Sequence, residues 1–330
     1  MLAALALSLA ALAAPSELDA ALADTPLSRG KAALAAKDVR TAKAEFETCI
    51  SAEAPSSEVG AACRWELGWA LWLGGGWAGG VKQWEASKAV VPDREGIDKY
   101  LKQARDNLGL EGLLAKGREG AAATFRSEVP AGTTVRLRAV GDMMIGTNFP
   151  AGVLNPDVEA TFSDVKGWLS DADMTFGNLE GPLCDTGKTT KCKPGAPAGS
   201  CYAFRSPGWY KDIFQGAGFD VVSTANNHAG DFGMVCRDQT EKAMDAVGIA
   251  HTGRPGDIAS LEVNGLKIAV VGFHTSRNSH YVNDHETAAQ LVRALDTEHD
   301  LVIVSFHGGA EGSKALHVPN GRETFYGENR

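Results

Sequence analysis

Four short loops in the second half of the chain, AVGDMMIG, FGNLEGPL, STANNHAGD and SFHGGAEG, each place an oxygen or nitrogen donor directly after an apolar run. The donors are Asp142, Asn178, Glu180, Asn227, His228 and His307, side chains able to coordinate a cation or transfer a proton. Taken singly, a Gly-Asp pair marks a turn, and Asn-Asn-His can serve only to satisfy backbone groups. Four such loops at successive strand ends of one domain instead form a constellation, as at an active or metal-binding site. P-loop spacing and a GxSxG nucleophile elbow are both absent, so neither of those chemistries is supported.

The elements that must position these donors alternate. From RSEVPAGTTVRLRAVGD onward, the runs VRLRAV, MTFGNL, DVVSTA, LKIAVVGF and LVIVSFHGG read as strands. Helical stretches such as EATFSDVKGWLSDA and CRDQTEKAMDAVGI lie between them. Such alternation predicts an α/β domain, whose functional groups collect on the loops that follow strands.

Residues 24–125 have a different texture, rich in Ala, Leu, Lys and Glu without strand-like alternation, and read as helices. Gly30, Ala42 and Phe46 recur 38 positions later as Gly68, Gly80 and Trp84. The second unit, RWELGWALWLGGGWAGGVKQWEASKAVVP, resembles a tetratricopeptide repeat. Small residues let paired helices approach, and large aromatics fill the space between them. Trp65, Trp69, Trp72, Trp77 and Trp84 form either a core or a binding groove. Residues 126–134 read as a linker.

The chain's 330 residues suit about two domains, and a net charge of −9 argues against non-specific binding to nucleic acid. Residues 1–23 form an alanine- and leucine-rich run of signal-peptide length, although the usual basic start is missing. Export to the periplasm, cell envelope or exterior, with or without membrane association, is the expectation. Six cysteines agree with it: Cys49 and Cys63 lie in the helical part, whereas Cys184, Cys192, Cys201 and Cys236 crowd one region of the second. The turn-rich CDTGKTTKCKPGAPAGSC is a segment that a disulfide would staple.

Residues 135–330 resemble the CapA/PgsA family of capsule or poly-γ-glutamate biosynthesis proteins, a branch of the calcineurin-like metallophosphoesterase superfamily. The motifs carrying the match are GDMMIG, DADMTFGNLEGP, FRSPGWYKDIFQGAGFDVVSTANNHAGDFG, NGLKIAVVGF and VSFHGGAE. The resemblance implies a metallophosphoesterase-like β-sandwich flanked by helices, with two divalent metal ions (Mn, Fe or Zn) held by loops at its edge. Asp142 would be a carboxylate ligand, Asn227 an amide-oxygen ligand and His307 a nitrogen ligand with Glu311 behind it. Asn178 and Glu180 share the position of the bridging carboxylate, and either could bridge. His228 would protonate a leaving group, with Asp231 orienting its imidazole or binding substrate through water. Asn226 would hold the turn. Arg205, in FRSP, is either an anion clamp or a surface arginine.

Met144 stands where the superfamily places a histidine. The family would continue past the His307 loop into a further α/β stretch, so the chain is expected to be a C-terminally truncated form. The implied function is metal-dependent hydrolysis of a phosphoester or an amide in exopolymer synthesis. The alternative is a non-catalytic scaffold that binds an anionic polymer and docks through its helical repeats to a membrane-bound synthesis or export complex.

Overall fold

The computed structural model describes residues 24–73, 76–119, 125–150, 152–189, 191–192, 201–310, 315–317, 320–321, 323–325 and 328–329. The expected leader and Glu311 lie outside them. Contacts divide the chain into two compact units, Met1–Leu108 and Gly109–Arg330.

The first unit is built from helices α1 (Pro26–Ala35), α2 (Val39–Ala52), α3 (Glu58–Leu73), α4 (Trp77–Val90) and the first part of α5 (Ile97–Glu119). Helix α1 begins with a reciprocal Thr25–Ser28 capping box and a proline in its first turn, and the Asp38 carboxylate caps α2 by accepting from Thr41 N–H. Such caps satisfy amide groups that the helix itself leaves unpaired. The 38-residue repeat has a packing cause. A Cβ on Gly30 would sit 2.4 Å from the Phe46 ring, and one on Gly68 2.1 Å from Trp84. In each pair, therefore, a glycine receives the aromatic of the next helix. Trp84 is fully buried and donates its indole N–H to the Trp65 carbonyl at 3.0 Å. Trp65, Trp69, Trp72 and Tyr100 pack around it with Ile97, Leu101 and Ala104, so these tryptophans form a core. A disulfide between Cys49 and Cys63 joins α2 to α3.

The boundary at Leu108/Gly109 falls inside α5, earlier than the expected end of the helical part at residue 125. The first part of α5 gives Leu101 and Ala104 to the helical core, whereas Leu110, Leu113 and Leu114 pack in the second unit. A helix whose two halves bury their apolar residues in different cores shows no boundary in its composition.

The second unit contains β1 (Leu137–Met143), β2 (Gly146–Thr147), β3 (Val153–Leu154), α6 (Lys166–Leu169), β4 (Met174–Leu179), α7 (Lys211–Ala217), β5 (Val221–Ser223), α8 (Gly233–Ala246) and β6 (Ala250–Thr252). After these come β7 (Ala259–Val263), β8 (Leu266–His274), β9 (His280–Tyr281), α9 (His285–Asp296), β10 (Leu301–His307), β11 (Thr324–Phe325) and β12 (Glu328–Asn329). One sheet has the order β1-β4-β5-β6 with every pairing parallel. The other has the order β10-β8-β7, parallel between β10 and β8 and antiparallel between β8 and β7.

Three apolar layers bind these elements together. Met174, Phe176 and Val221 of the first sheet meet Ala259, Ile268 and Val270 of the second, so the two sheets stack face to face. Behind the first sheet, Leu179 and Val222 pack on Ile213 and Phe214 of α7 and Met244 of α8. Behind the second, Ala269, Val271 and Phe273 pack on Leu291 and Leu295 of α9. Strands β4 and most of β8 are buried on both faces, which accounts for their near-continuous apolar sequences. The resulting order is helix, sheet, sheet, helix.

Candidate metal and proton-transfer site

Parallel pairing brings the carboxyl ends of the strands to one edge. Asp142 stands beside Asn178, which stands beside Ser223, and in the other sheet His307 pairs with His274. The sheets converge here because β8 carries Gly272, where a Cβ would lie 2.8 Å from Ser223 Oγ and 3.0 Å from Ala225. The Gly272 N–H donates to Thr252 Oγ1 of the opposite sheet at 3.1 Å. Asp142 and His307, from different sheets, thereby come within 3.4 Å of each other.

The centre of the site is an amide relay whose polarity is fixed by the backbone. Asn226 Oδ1 accepts from the N–H groups of His228 (3.1 Å) and Ala229 (2.9 Å), and its Nδ2 donates to the Leu179 carbonyl (3.0 Å) and to Asn178 Oδ1 (3.1 Å). Backbone groups cannot exchange donor for acceptor, so the Asn226 orientation follows, and the Asn178 orientation follows from it. The Asn178 Nδ2 consequently faces outward, donating to Asp142 Oδ1 at 2.7 Å and approaching His307 Nδ1 at 3.2 Å. Asn178 thus presents a donor to the other site residues, while its oxygen is spent on Asn226. Glu180 directs Oε1 toward Nε2 of both His307 (3.7 Å) and His228 (3.8 Å). Of the two candidates for the bridging position, Glu180 is the one that offers an oxygen.

Donor atoms held about 2.0–2.2 Å from one cation lie roughly 3–3.5 Å from each other. His307 Nε2 is 2.9 Å from Asn227 Oδ1 and 3.7 Å from Glu180 Oε1, while the other ring nitrogen, Nδ1, is 3.4 Å from Asp142 Oδ1; an imidazole offers one nitrogen to a given cation, so these contacts describe two sides of the ring. Among the described residues, Asp142, Glu180 and His307 form a group whose ligand atoms all lie within 4.8 Å of one another. Burial pulls the Asp142 carboxyl upward, but the hydrogen bond donated by Asn178, a hydrogen bond shared with the Glu180 carboxyl and the adjacent His307 ring outweigh it and hold the group below the ordinary carboxylate range. Two facing carboxylates with a histidine and an amide oxygen are a hard-to-borderline donor set, and they fit a divalent cation.

Beside this group lies a His–Asp pair. Asp231, whose side chain is fully buried, sits 2.7 Å from His228 Nδ1. The short contact places Nδ1–H toward the carboxylate and leaves Nε2 facing Glu180. The Phe204 ring covers the imidazole at 4.3 Å between centroids. Phe204 N–H donates to Asp231 Oδ2 at 2.8 Å, and Lys191 Nζ donates to Oδ1 at 2.7 Å.

The bacterial capsule synthesis protein family, PGA_cap, matches residues 136–320. The chain belongs to that family. Every donor of the constellation falls inside the matched span. It is 26% identical over 195 residues to the capsule biosynthesis protein CapA of Bacillus anthracis, covering 53% of this chain and 46% of that one. It is also 31% identical over 115 residues to the uncharacterized proteins y4sH and y4uA of Sinorhizobium fredii (strain NBRC 101917 / NGR234), covering 35% of this chain and 23% of each. The chain thus spans less than half the length of these relatives.

In this family member the structure brings Asp142, Asn178, Glu180, Asn227, His228, Asp231 and His307 to one sheet edge. Arg205, the candidate anion clamp, is held by contacts outside the cation group. Its Nε donates to Asn148 Oδ1 at 2.8 Å and its guanidinium lies 4.7 Å over the Phe232 ring. Met144, where a histidine was lacking, is half exposed beside Gly181. Lys191 and Phe204 were missed in the sequence. Their one signal is position, since they flank Cys192 and Cys201, which are joined by a disulfide.

Proposed function

We propose that this capsule synthesis family member is an exported, metal-dependent hydrolase of metallophosphoesterase-like type. Its substrate class is a phosphoester or an amide within an anionic exopolymer. The observation that carries the reading is the juxtaposition of a cation-type donor group with a His–Asp pair: His228 Nε2 lies 3.8 Å from Glu180 Oε1, while Nδ1 is anchored 2.7 Å from Asp231. The helix–sheet–sheet–helix layering, with donors at one sheet edge, also supports it.

Asp142, Glu180, Asn227 and His307 would hold a divalent cation. When bound, it would supply Lewis-acid polarisation of a substrate oxygen and a more acidic water. The protein's own groups do the rest. Asn178 directs Asp142 through its amide donor, and Asp231 accepts from His228 Nδ1–H and stabilises the imidazolium form, whose Nε2–H is the proton passed to the leaving group. The Phe204 ring excludes water from one face of that imidazole. Export and any membrane association belong to the same proposal. Among the described residues no helix is long and apolar enough to cross a membrane.

The test is metal analysis after mild buffer exchange, followed by hydrolysis assays on a chromogenic phosphodiester and on polyglutamate. Stoichiometric metal is expected, with the metal lost in Asp142→Ala. Activity should fall about 10²- to 10⁴-fold in His228→Ala. Polymer binding that survives both changes, with no hydrolysis, would instead favour the scaffold alternative.

A further inference from the structure

We propose that the Cys192–Cys201 disulfide holds the His228–Asp231 pair in its working geometry, with Lys191 as a positioning residue. Its catalytic part rests on the hydrolase reading above; its structural part does not.

Asp231 is a carboxylate with no exposed side-chain surface, and a buried charge of this kind requires close partners. Its partners come from three places. His228 belongs to the same loop as Asp231, whereas Lys191 and Phe204 reach it from opposite ends of the segment closed by Cys192–Cys201. Lys191 immediately precedes Cys192. Its Nζ donates to Asp231 Oδ1 at 2.7 Å and also approaches the Asn227 carbonyl (3.4 Å) and His228 Nδ1 (3.2 Å). Phe204 lies just past Cys201, donates its N–H to Asp231 Oδ2 and stacks on the His228 ring.

One covalent bond therefore joins both arms that grip the carboxylate. A second disulfide, Cys184–Cys236, ties the chain ahead of Lys191 to α8, and both of its cysteines are buried. With Oδ1 held by Lys191, Oδ2 stays aimed at Nδ1, and His228 keeps Nε2 toward Glu180. Opening Cys192–Cys201 frees the two arms to separate. Asp231 then loses its cationic partner and the amide that fixes its plane.

The experiment uses the full chain with Lys191→Met, Lys191→Arg and Cys192→Ser/Cys201→Ser, with Cys49→Ser/Cys63→Ser in the other unit as control. Lys191→Met and the Cys192/Cys201 variant should lower kcat about 10- to 100-fold with KM within about twofold. Lys191→Arg should restore most of the loss, and the control should match wild type. Independently of any activity, hydrogen exchange at the Phe204 amide should be slow in wild type and fast in the Cys192/Cys201 variant, with β4 and β8 still protected. Wild-type kcat in Lys191→Met, a change confined to KM, or retained Phe204 protection without the disulfide would each overturn the proposal. A wild-type protein that hydrolyses nothing would sink the hydrolase reading, while the exchange result would still decide the structural part.

Discussion

Asn226 makes no hydrogen bond to Asp142, yet the orientation of the Asn178 amide that donates to Asp142 depends on it. It satisfies two backbone N–H groups and a carbonyl and fixes the Asn178 amide. Asn226→Ala removes these partners together, leaving buried amides unpaired. The expected cost is about 2–3 kcal/mol in urea unfolding. Cation affinity, measured by titration calorimetry, should weaken about 10- to 100-fold, because Asn178 is then free to turn. Unchanged affinity would mean that Asn178 is held by other contacts. At this scale the sequence was informative about residue type and silent about polarity. GNLE and ANNH announced oxygen and nitrogen donors at strand ends, but which of Asn178 and Glu180 offers oxygen depends on hydrogen bonds between separate loops. Lys191 was illegible for a similar reason: nothing in a polar, turn-rich stretch marks one lysine out until a disulfide and a buried carboxylate fix its place.

The elements themselves were legible wherever burial imposes a pattern. The apolar runs of β4, β5 and β8 were found because parallel strands covered on both faces read as near-continuous apolar sequence, and the β10 run was equally legible although that strand is exposed or half-buried along its length. The apolar runs alone did not show that the strands divide into two stacked sheets, since a strand's sequence does not say which neighbour it pairs with; that expectation came only with the family resemblance. The repeat of Gly30 and Gly68 did encode a contact, and it can be tested. Gly68→Ala places a methyl 2.1 Å from the Trp84 indole, which is fully buried. Overpacking of this kind should destabilise the helical unit by about 1–3 kcal/mol, seen as an earlier tryptophan-emission transition in urea. An equal midpoint would show that α3 and α4 can separate without loss.

A second element-level prediction concerns β6. His251 Nδ1 lies 3.1 Å from Asp257 and its Nε2 3.3 Å from Asp245 of α8. Burial lowers its proton affinity, but the Asp257 hydrogen bond and the charges of Asp257, Glu241 and Asp245 outweigh that and raise its pKa above 6.5. A raised histidine binds its proton more tightly when folded. Its contribution is therefore complete below the unfolded value near 6.5 and disappears as pH rises through the folded value. Wild type should exceed His251→Gln in urea stability by a constant margin below about pH 6.5, and the part of that margin due to protonation should shrink above it. A difference independent of pH would leave packing as the only role of His251.

On the scale of the whole chain, the two compact units carry different chemistry and different probes. Trp65, Trp69, Trp72, Trp77 and Trp84 all belong to the helical unit, whereas the second unit has Trp168 and Trp209, both at least half exposed. Tryptophan emission therefore reports mainly on the helical core, and hydrogen exchange in β4 and β8 reports on the core behind the site. A ligand stabilises the unit that binds it by an amount set by its concentration relative to Kd, about 2.7 kcal/mol at a hundredfold excess. Manganese added at that excess should slow exchange in β4 and β8 by about a hundredfold, the equivalent of this energy, and leave the tryptophan transition where it was. Chelator should reverse the first effect without touching the second. Asp142→Ala should abolish the manganese response while retaining both folded cores, because Asp142 sits at a half-exposed sheet edge outside the apolar layers. If manganese shifts both probes equally, stability is coupled across the chain or the cation binds elsewhere. If it shifts neither, the group of Asp142, Glu180, Asn227 and His307 does not hold this cation, and the hydrolase reading loses its metal while the family membership stands.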